Sequence, residues 1–448
     1  MGCLWCILGA ALQAAAQNMN WMLCARVITG VGTGHLNSIV PAFAGEIATT
    51  RHRGAAIVLV FIANYVGITV AYWLEFGLRY YSNEEFRWRF PLAFQIIPVF
   101  ILAIGIWTLP ESPRWLIKEG RDAEALEVLS KFRDADPNSE VVQSEMRELK
   151  DVVELSDANK KRESVFAMVF GLWSGNLHYG RRVALAIGVM LMMEWTGILA
   201  ITVYANVLFT QAGFDSTKAA WLSGLCNTTG IFATAAAALT VDRIGRRMSM
   251  YIGFLIQAIT MFLTGAFARL QVLQPQHSTA YGAAAAAMVF IYTWVFAQTV
   301  LQVAFIYPAE IWPTSVRAKG NAFGVAGWAI GTPPPFHSPF TILQEQSTDF
   351  VGCGWTTLLI PIMFGNLGER TLFLFGALNV AWIPVTYCFF PETANRSLEE
   401  INMLFASKSP FAWEEEKEFQ RLKALGIPAD TKTGQIHSEN TSMEKINV

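Results

Sequence analysis

Glu194 is the residue of this sequence best suited to chemistry, because it places a carboxyl group inside an apolar run of residues 184–209. A charge within a membrane is costly, so such residues usually bind a ligand, carry a proton or pair with another group. A carboxylate accepts hydrogen bonds from hydroxyl groups, and it can take up and release a proton. We therefore predict that Glu194 binds substrate hydroxyls or carries a proton. A purely structural hydrogen bond inside a helix bundle is the alternative.

A second set of reactive groups consists of acids and bases at the ends of apolar segments. They are Glu46, Arg53, Glu111, Arg114, Asp242, Arg246, Arg247, Glu310, Arg317 and Glu392. Paired across the interface between two helix bundles, these groups would form salt bridges that hold one side of a membrane protein shut. Partly exposed pairs contribute little each, so a gate of several pairs can open thermally. The alternative is that they are ordinary charged flanks whose side chains reach out of the lipid.

Composition shows what must position these groups. The chain has 448 residues, of which 53% are hydrophobic and only 15% charged, and its mean hydropathy is +0.36. Only helices and closed barrels satisfy the backbone in lipid, so we predict an all-α, polytopic membrane protein with about ten spans. The spans are expected at residues 2–19, 22–44, 54–76, 90–109, 184–209, 216–240, 249–269, 283–307, a split span between 324 and 364, and 371–390.

The basic residues alternate between the loops and so predict the orientation. They gather at 51–53, 118–182, 243–247, 317–319 and beyond Arg396, and these loops should face the cytoplasm. No basic leader with a cleavage site is present, so no signal peptide is expected. Within 118–163, two amphipathic stripes are separated by a turn at 134–139. They contain Ala123, Leu126, Val128, Leu129 and Phe132, and then Val141, Met146, Leu149, Val152 and Val153. A short helix is expected at 411–425 in the tail.

Eight motifs in order resemble the sugar porter family of the major facilitator superfamily, most closely its fungal branch. They are ARVITGVGTG from Ala25, PAFAGEIATTRHRG from Pro41, AYWLEFG from Ala71, WRFPLAFQ from Trp88, PESPRWL from Pro110, DRIGRR from Asp242, PAEIWPTSVRAKG from Pro308 and PETANRSLEE from Pro391. The resemblance implies two helix bundles around a central cavity, which move against each other by alternating access.

The resemblance also implies domain boundaries, with about ten of the family's twelve helices present. Residues 1–117 would be a remnant of the N-terminal bundle (family helices 3–6), and 118–182 a cytoplasmic helical linker. Residues 183–404 would form the C-terminal bundle, with an insertion at 332–353 in its eleventh helix, and 405–448 a cytoplasmic tail. A missed exon and a retained intron would explain the two departures. A naturally extended loop is the alternative for the insertion.

Arg26 is expected to be affected by the shortened start. The family's proton-coupled members pair this arginine with an acid of the first helix, and that helix has no counterpart here. An unpaired arginine in a membrane span is costly. We therefore expect the chain as written to fold poorly or to be inactive.

The resemblance places a sugar site as well. Where the family's seventh helix carries a Gln-Gln-x-Thr-Gly-Ile-Asn run, this chain has MEWTGIL from Met193, and Phe61 replaces a glutamine of the fifth helix. Hydroxyl-rich ligands need amide or carboxylate partners and an aromatic face for the sugar ring. The implied substrate-binding residues are Glu194, Thr196, Tyr204, Asn227, Phe305 and Trp328, with Trp328 as the stacking platform. Because several amides are replaced, the identity of the sugar stays open.

These observations predict a carrier of a hexose, pentose or disaccharide in the plasma membrane, with proton symport an open question. A sugar sensor that does not transport, and an inactive product of a truncated gene model, are the alternatives. We expect no enzyme, because the sequence has no metal cluster, no paired nucleophile and base, and no phosphate loop. The expected partners are a sugar, protons and the lipid bilayer, with no cofactor, metal or nucleic acid.

Overall fold

The computed structural model describes most of the chain. The described residues are 1–47, 53–158, 165–171, 178–202, 205–211, 213–313, 316–330, 355–394, 396, 398–405, 407 and 409–424. Within these ranges every regular element is a helix. The predicted insertion at 332–353 and the end of the tail lie outside the described residues.

The helices fall into two parts in chain order. The first part contains α1 (Gly2–Ala14), α2 (Met19–Ile47), α3 (Arg53–Leu78), α4 (Glu84–Phe94), α5 (Ile96–Ile106), α6 (Pro113–Lys118), α7 (Asp122–Arg133) and α8 (Glu140–Ala158). The second contains α9 (Val165–Val169), α10 (Tyr179–Glu194), α11 (Ile198–Thr202), α12 (Ala205–Gln211), α13 (Ser216–Ile244), α14 (Arg246–Leu273), α15 (Ser278–Gln298), α16 (Val300–Glu310), α17 (Arg317–Ile330), α18 (Trp355–Leu367), α19 (Arg370–Phe389), α20 (Leu398–Leu404) and α21 (Ala412–Ala424).

Seven helical segments among the described residues are long and apolar enough to cross a membrane, which makes the chain a multi-pass membrane protein. They are Val58–Leu78, Glu84–Ile106, Tyr179–Thr202, Ser216–Ile244, Arg246–Leu273, Pro275–Glu310 and Arg370–Phe389. The predicted span at 2–19 forms a shorter apolar helix, α1. The span at 22–44 lies within the long helix α2, and the two halves of the split span form α17 and α18.

Three predicted spans are interrupted where continuous helices were expected. The span at 184–209 breaks at Trp195–Gly197, because Gly197 has a φ of +96°, a conformation that ends a right-handed helix. The span at 283–307 breaks at Thr299, between α15 and α16, and the span at 90–109 breaks at Gln95. Such breaks require new partners for backbone groups, so they occur where other helices cover them.

The second part contains the densest packing. In the most apolar stretch of its span Tyr179–Thr202, 72% of the residues are buried, whereas the corresponding share in Glu84–Ile106 is 6%. The largest fully buried side chains include Trp312, Tyr292 and Tyr307. The segment Tyr179–Thr202 is therefore a central helix, and Glu84–Ile106 turns most of its surface outward.

The two parts meet along α3 and α13, where glycines allow close approach. The ring of Tyr65 lies directly against Gly230. A Cβ atom at Gly224 would lie only 3.1 Å from the ring of Trp73. Small residues at helix crossings in membranes permit this proximity. Three hydrogen bonds continue the seam: Tyr72 hydroxyl to Ala220 carbonyl (3.2 Å), Trp73 Nε1 to Thr228 Oγ1 (3.1 Å) and Arg79 Nη1 to Ser216 carbonyl (3.1 Å). By the distribution of basic residues, this seam lies towards the outer side.

The predicted cytoplasmic helices are present as α7 and α8, with a turn at Asp134–Ser139 between them. Most of each predicted stripe packs inward, since Leu129 and Met146 are buried and Leu126, Val128, Leu149 and Val153 pack against the buried residues. Only the first residue of each stripe is wrong, because Ala123 and Val141 are exposed and Ala125 and Val142 are buried instead. Arg133 joins the pair to the membrane part, because it donates to Glu145 (2.5 and 2.8 Å) and to the carbonyl of Ile47 (2.9 Å). The predicted tail helix is α21.

We predict that Gly230→Ala destabilises the protein, since its methyl group would overlap the ring of Tyr65. Overpacking of this kind costs about 1–3 kcal/mol. The matched control is Gly77→Ala in α3, where a Cβ meets nothing within 4 Å and alanine favours the helix. Thermal unfolding of the detergent-solubilised variants is the measurement, with a lower Tm expected for Gly230→Ala alone. Equal Tm values would show that the seam is not tightly packed.

Candidate functional site

A cavity of about 450 Å³ lies between the two parts of the chain, within the size range of small-molecule sites. Helices α2 and α3 form one wall, and α10, α11, α13, α15, α16 and α17 contribute the other. The polar residues of the wall are Asn37, Asn64, Tyr65, Tyr72, Glu194, Thr202, Asn227 and Trp328. The remaining wall is aliphatic and aromatic, so the cavity offers a few polar groups in an apolar surrounding.

Glu194 is the carboxyl group of this wall, and its side chain is only 3% exposed. The indole nitrogen Nε1 of Trp328 donates a hydrogen bond to Glu194 Oε1 at 2.7 Å. Among the described residues, Glu194 Oε2 has no hydrogen-bond partner. One oxygen is therefore used to orient the carboxyl group, and the other remains to accept a hydrogen bond or to hold a proton.

Glu194 owes its place to the helix break that follows it. α10 ends at Glu194, and α11 begins at Ile198. The carbonyl of Thr196 in the break accepts from the Tyr292 hydroxyl (3.0 Å) and from Asn379 Nδ2 (2.8 Å). The break is thus covered by α15 and α19, and its free carbonyl is satisfied.

The structure places Thr196 in this support and away from the cavity wall. Its side chain is fully buried, and its hydroxyl donates to the carbonyl of Met193 at 2.7 Å. The expectation that Thr196 lies on the substrate surface is therefore corrected, because its polar atoms bond within the helix break. Tyr204 lies outside the described residues.

Asn227, Phe305 and Trp328 lie on the cavity wall together with Glu194, and their binding of substrate stays a prediction. Phe305 on α16 also contacts Phe61 on α3, with ring centroids 4.4 Å apart. This contact joins the two parts of the chain. The contact lies nearer than the α3–α13 seam to the basic ends of the two helices, which are expected to face the cytoplasm. Aromatic rings therefore narrow the cavity on that expected cytoplasmic side.

A buried ion-pair cluster lies at the N-terminal end of α14, which the basic residues predict to face the cytoplasm. Arg246 is 4% exposed, and its guanidinium pairs with Glu310 (2.6 Å) and Asp242 (2.8 Å). Glu310 also accepts from the Thr393 hydroxyl at 2.7 Å. A buried charge is tolerated when it is paired and hydrogen-bonded in this way.

Glu392 completes the cluster as a cap for α14. Its carboxylate accepts from the backbone N–H groups of Arg246 (2.9 Å) and Arg247 (3.0 Å), the first residues of the helix. A carboxylate satisfies unpaired N–H groups there and complements the helix dipole. Arg247 donates to the Tyr387 carbonyl at 2.8 Å.

These contacts differ from a gate between the two parts. Arg246, Arg247, Glu310 and Glu392 bond with one another and with neighbours inside residues 183–404, while Asp242 pairs with Arg246 and has a further interaction partner. The contacts of Arg246 and Glu392 hold neighbouring ends of α13, α14, α16 and α19 together.

The other predicted gate residues have varied surroundings. Glu111 is exposed, Arg114 is half-buried, and Arg317 is buried; both arginines have interaction partners. The side chains of Glu46 and Arg53 lie outside the described residues.

Arg26 differs from the sequence expectation. It is half-buried in α2, and it has an interaction partner. The expectation that Arg26 has no partner is therefore wrong, whereas the expected folding defect stays a prediction.

Sequence reasoning did not assign Asn37 and Asn64, which the structure places on the cavity wall. The available signal was an amide in each of two apolar helices. In α3, Phe61, Asn64 and Tyr65 are spaced by three and four residues, so they share one helix face.

A family model described as "Sugar (and other) transporter" matches residues 1–332 and 341–405. The unmatched residues 333–340 are a narrower gap than the expected insertion at 332–353.

Two curated relatives illustrate the similarity. The sugar transporter STL1 of Saccharomyces cerevisiae is 32% identical over 91% of this chain, which spans 66% of its length. The galactose-proton symporter of Escherichia coli K12 is 28% identical over 90% of this chain and 78% of its own length.

Solved structures agree on the fold. The proton:xylose symporter XylE bound to 6-bromo-6-deoxy-D-glucose has a TM-score of 0.70 at 21% identity, covering 90% of this chain and 82% of that chain. The inward open conformation of the E. coli xylose transporter XylE has a TM-score of 0.60 at 20% identity, with coverages of 90% and 81%. The predicted two-bundle fold is thereby confirmed.

We predict that Arg246→Gln destabilises the protein by about 3–5 kcal/mol, since it leaves the buried Glu310 without its charge partner. The matched control is Arg243→Gln, because Arg243 is exposed and lies in the last turn of α13, close in sequence to Arg246. Tm and the amount of protein reaching the membrane are measured for both variants. An equal loss of Tm and of membrane protein in both variants would mean that stability depends on the positive charge in this region and not on the buried pair.

Proposed function

This chain belongs to the Sugar (and other) transporter family, and we propose that it carries a sugar across the plasma membrane by alternating access, together with a proton. The observation that carries the proposal is the cavity between the two parts of the chain, with Glu194 and Trp328 bonded on its wall. The names of its relatives support the proposal, since they include a yeast sugar transporter and galactose- and arabinose-proton symporters of E. coli.

The wall has the groups that a sugar requires. Glu194 Oε2 can accept from a hydroxyl group, and the Asn227 amide can both donate and accept. The Trp328 ring presents an apolar face to the C–H side of a sugar ring. Because the indole N–H is bonded to Glu194, the carboxyl group and the ring are held as one unit.

Alternating access requires that the contacts on the two sides of the cavity open in turn. The α3–α13 seam closes the outer side in this conformation, and the contact between Phe61 and Phe305 narrows the other side. Neither contact contains a charge pair, so neither needs to bring unpaired charges into an apolar region when it opens. The buried pairs of Arg246 can then persist while the second part moves as a body.

Proton coupling is assigned to Glu194, the one carboxyl group among the described residues of the cavity wall. A carboxyl group that gains a proton changes from an acceptor to a donor at the same atoms. The protonated and ionised forms would therefore bind a hydroxyl group differently, which links the proton to the sugar.

We expect Glu194→Gln to lower sugar accumulation and to abolish its pH dependence. The amide has the same shape as the carboxyl group, but it does not gain or lose a proton at physiological pH. Uptake of labelled galactose, arabinose, xylose and glucose by cells without their own carriers is measured across pH. The control is Glu369→Gln, which removes a carboxylate paired with Arg269 away from the cavity. Unchanged accumulation and pH dependence in Glu194→Gln would refute its role. Binding without uptake by the wild type would identify a sensor.

Trp328→Phe should raise the KM for sugar roughly tenfold, because the ring remains but the N–H that orients Glu194 is lost. Trp328→Ala should raise it further, since the ring face is lost as well. In a Glu194→Gln background the effect of Trp328→Phe should shrink, because the two residues act as a unit. Trp294→Phe is the matched control, since its indole donates to Gln298 outside this cavity. If the effects of Trp328→Phe and Glu194→Gln on the KM were additive, the two residues would not act as a unit.

A further inference from the structure

Two amides on the first part of the chain face the cavity opposite Glu194. Asn37 lies on α2 beside Leu36, and Asn64 lies on α3 one turn beyond Phe61. Both side chains are exposed, although each lies in a stretch of otherwise mainly apolar residues. Neither amide forms a hydrogen bond with another described residue.

An amide in a membrane helix costs free energy unless its donors and acceptor are satisfied. Packing does not account for these two residues, because their side chains are exposed and not enclosed among neighbours. The surface that they share with the cavity is therefore where their partners must come from. Water or a polar ligand in the cavity would supply those partners.

The opposite wall repeats this arrangement. Glu194 is 3% exposed, yet its Oε2 atom has no hydrogen-bond partner among the described residues. Asn227 is 4% exposed and also lines the cavity. The cavity thus has polar groups on both parts of the chain, with the apolar rings of Phe61 and Phe305 between them.

We propose that Asn37 and Asn64 contact the substrate from the first part of the chain and determine which sugar is accepted. This inference rests on the proposed transport of a sugar. A ligand bonded to both walls links the two parts, so its hydroxyl pattern can be read at two places. Glu194 reads one end of the sugar, and the two asparagines read the other.

The chemistry of the wall selects the ligand class. No lysine or arginine lies among the described wall residues, so nothing there would neutralise an anion. Each amide offers two donors and an acceptor, which matches neighbouring hydroxyl groups that both donate and accept. A neutral compound with several hydroxyl groups fits both walls. A site built to bond a hydroxyl group rejects an analogue that lacks it.

The test combines substitutions with monodeoxy sugars. Uptake of the best of galactose, arabinose, xylose and glucose is measured with its monodeoxy analogues as competitors, in wild type, Asn37→Ala and Asn64→Ala. We expect each variant to raise the KM about tenfold, the effect of one lost hydrogen bond. Each variant should also become indifferent to the loss of one particular hydroxyl group, because the contact is already gone.

The controls separate contact from folding. Asn366→Ala removes an exposed amide outside the cavity, and Ser38→Ala changes the neighbour of Asn37; both should retain the wild-type KM and the wild-type response to every analogue. If an alanine variant does not reach the membrane, Asn37→Ser or Asn64→Ser replaces it, with the same expected indifference to one hydroxyl group.

The outcomes are distinguishable. If the wild type transports sugar and every deoxy analogue has the same relative effect in wild type and variants, the inference is overturned while the proposed function stands. If the wild type neither takes up nor binds any of the four sugars, the proposed function fails and the inference fails with it. Loss of discrimination at one hydroxyl group, confined to the asparagine variants, supports the assignment.

Discussion

A broken helix inside a membrane must find partners for the backbone groups that it frees, and the site depends on how this chain meets that constraint at Trp195–Gly197. The Tyr292 hydroxyl and Asn379 Nδ2 both donate to the carbonyl of Thr196, so α15 and α19 hold the break in place. The break ends α10 at Glu194, where the carboxyl group meets the indole of Trp328. Irregular backbone at membrane depth is stable only under such cover. The helices that cover the break, the carboxyl group of Glu194 and the indole ring of Trp328 therefore form one structural unit.

The charged groups serve a different purpose from the one that their positions suggest. Arg246, Asp242 and Glu310 pair inside the second part of the chain, and Glu392 caps α14 from the loop after α19. Pairs of this kind are strongly stabilising relative to a broken pair, so they favour a rigid body over a gate. The hydrogen bonds and ring contacts described for the α3–α13 seam and for Phe61 with Phe305 contain no charge pair, although Arg79 donates to a carbonyl there. Close packing on Gly224 and Gly230, a few hydrogen bonds and the contact of Phe61 with Phe305 can separate without leaving a buried charge unpaired.

The proposed alternating access would use two kinds of contact. Buried charge pairs such as Arg246 with Glu310 would stay closed within one part, whereas close packing on glycines and the contact of Phe61 with Phe305 would open. The cavity lies between the α3–α13 seam and that ring contact, and its polar groups come from both parts, so a bound ligand would favour their approach.

The sequence by itself determined the class of fold, the family and four residues of one wall of the cavity, namely Glu194, Asn227, Phe305 and Trp328. Long apolar runs with basic loops require membrane helices, and ordered motifs such as DRIGRR and PETANRSLEE indicate the family. Glu194 was identifiable as an acid within an apolar run, and Trp328 through the family resemblance. The partners were not, because pairing depends on which helix faces come together, and residues 134 positions apart meet only after folding. For the same reason only the tertiary structure decided that Thr196 supports the break, that Arg246 pairs within one part, and that Asn37 and Asn64 face the cavity.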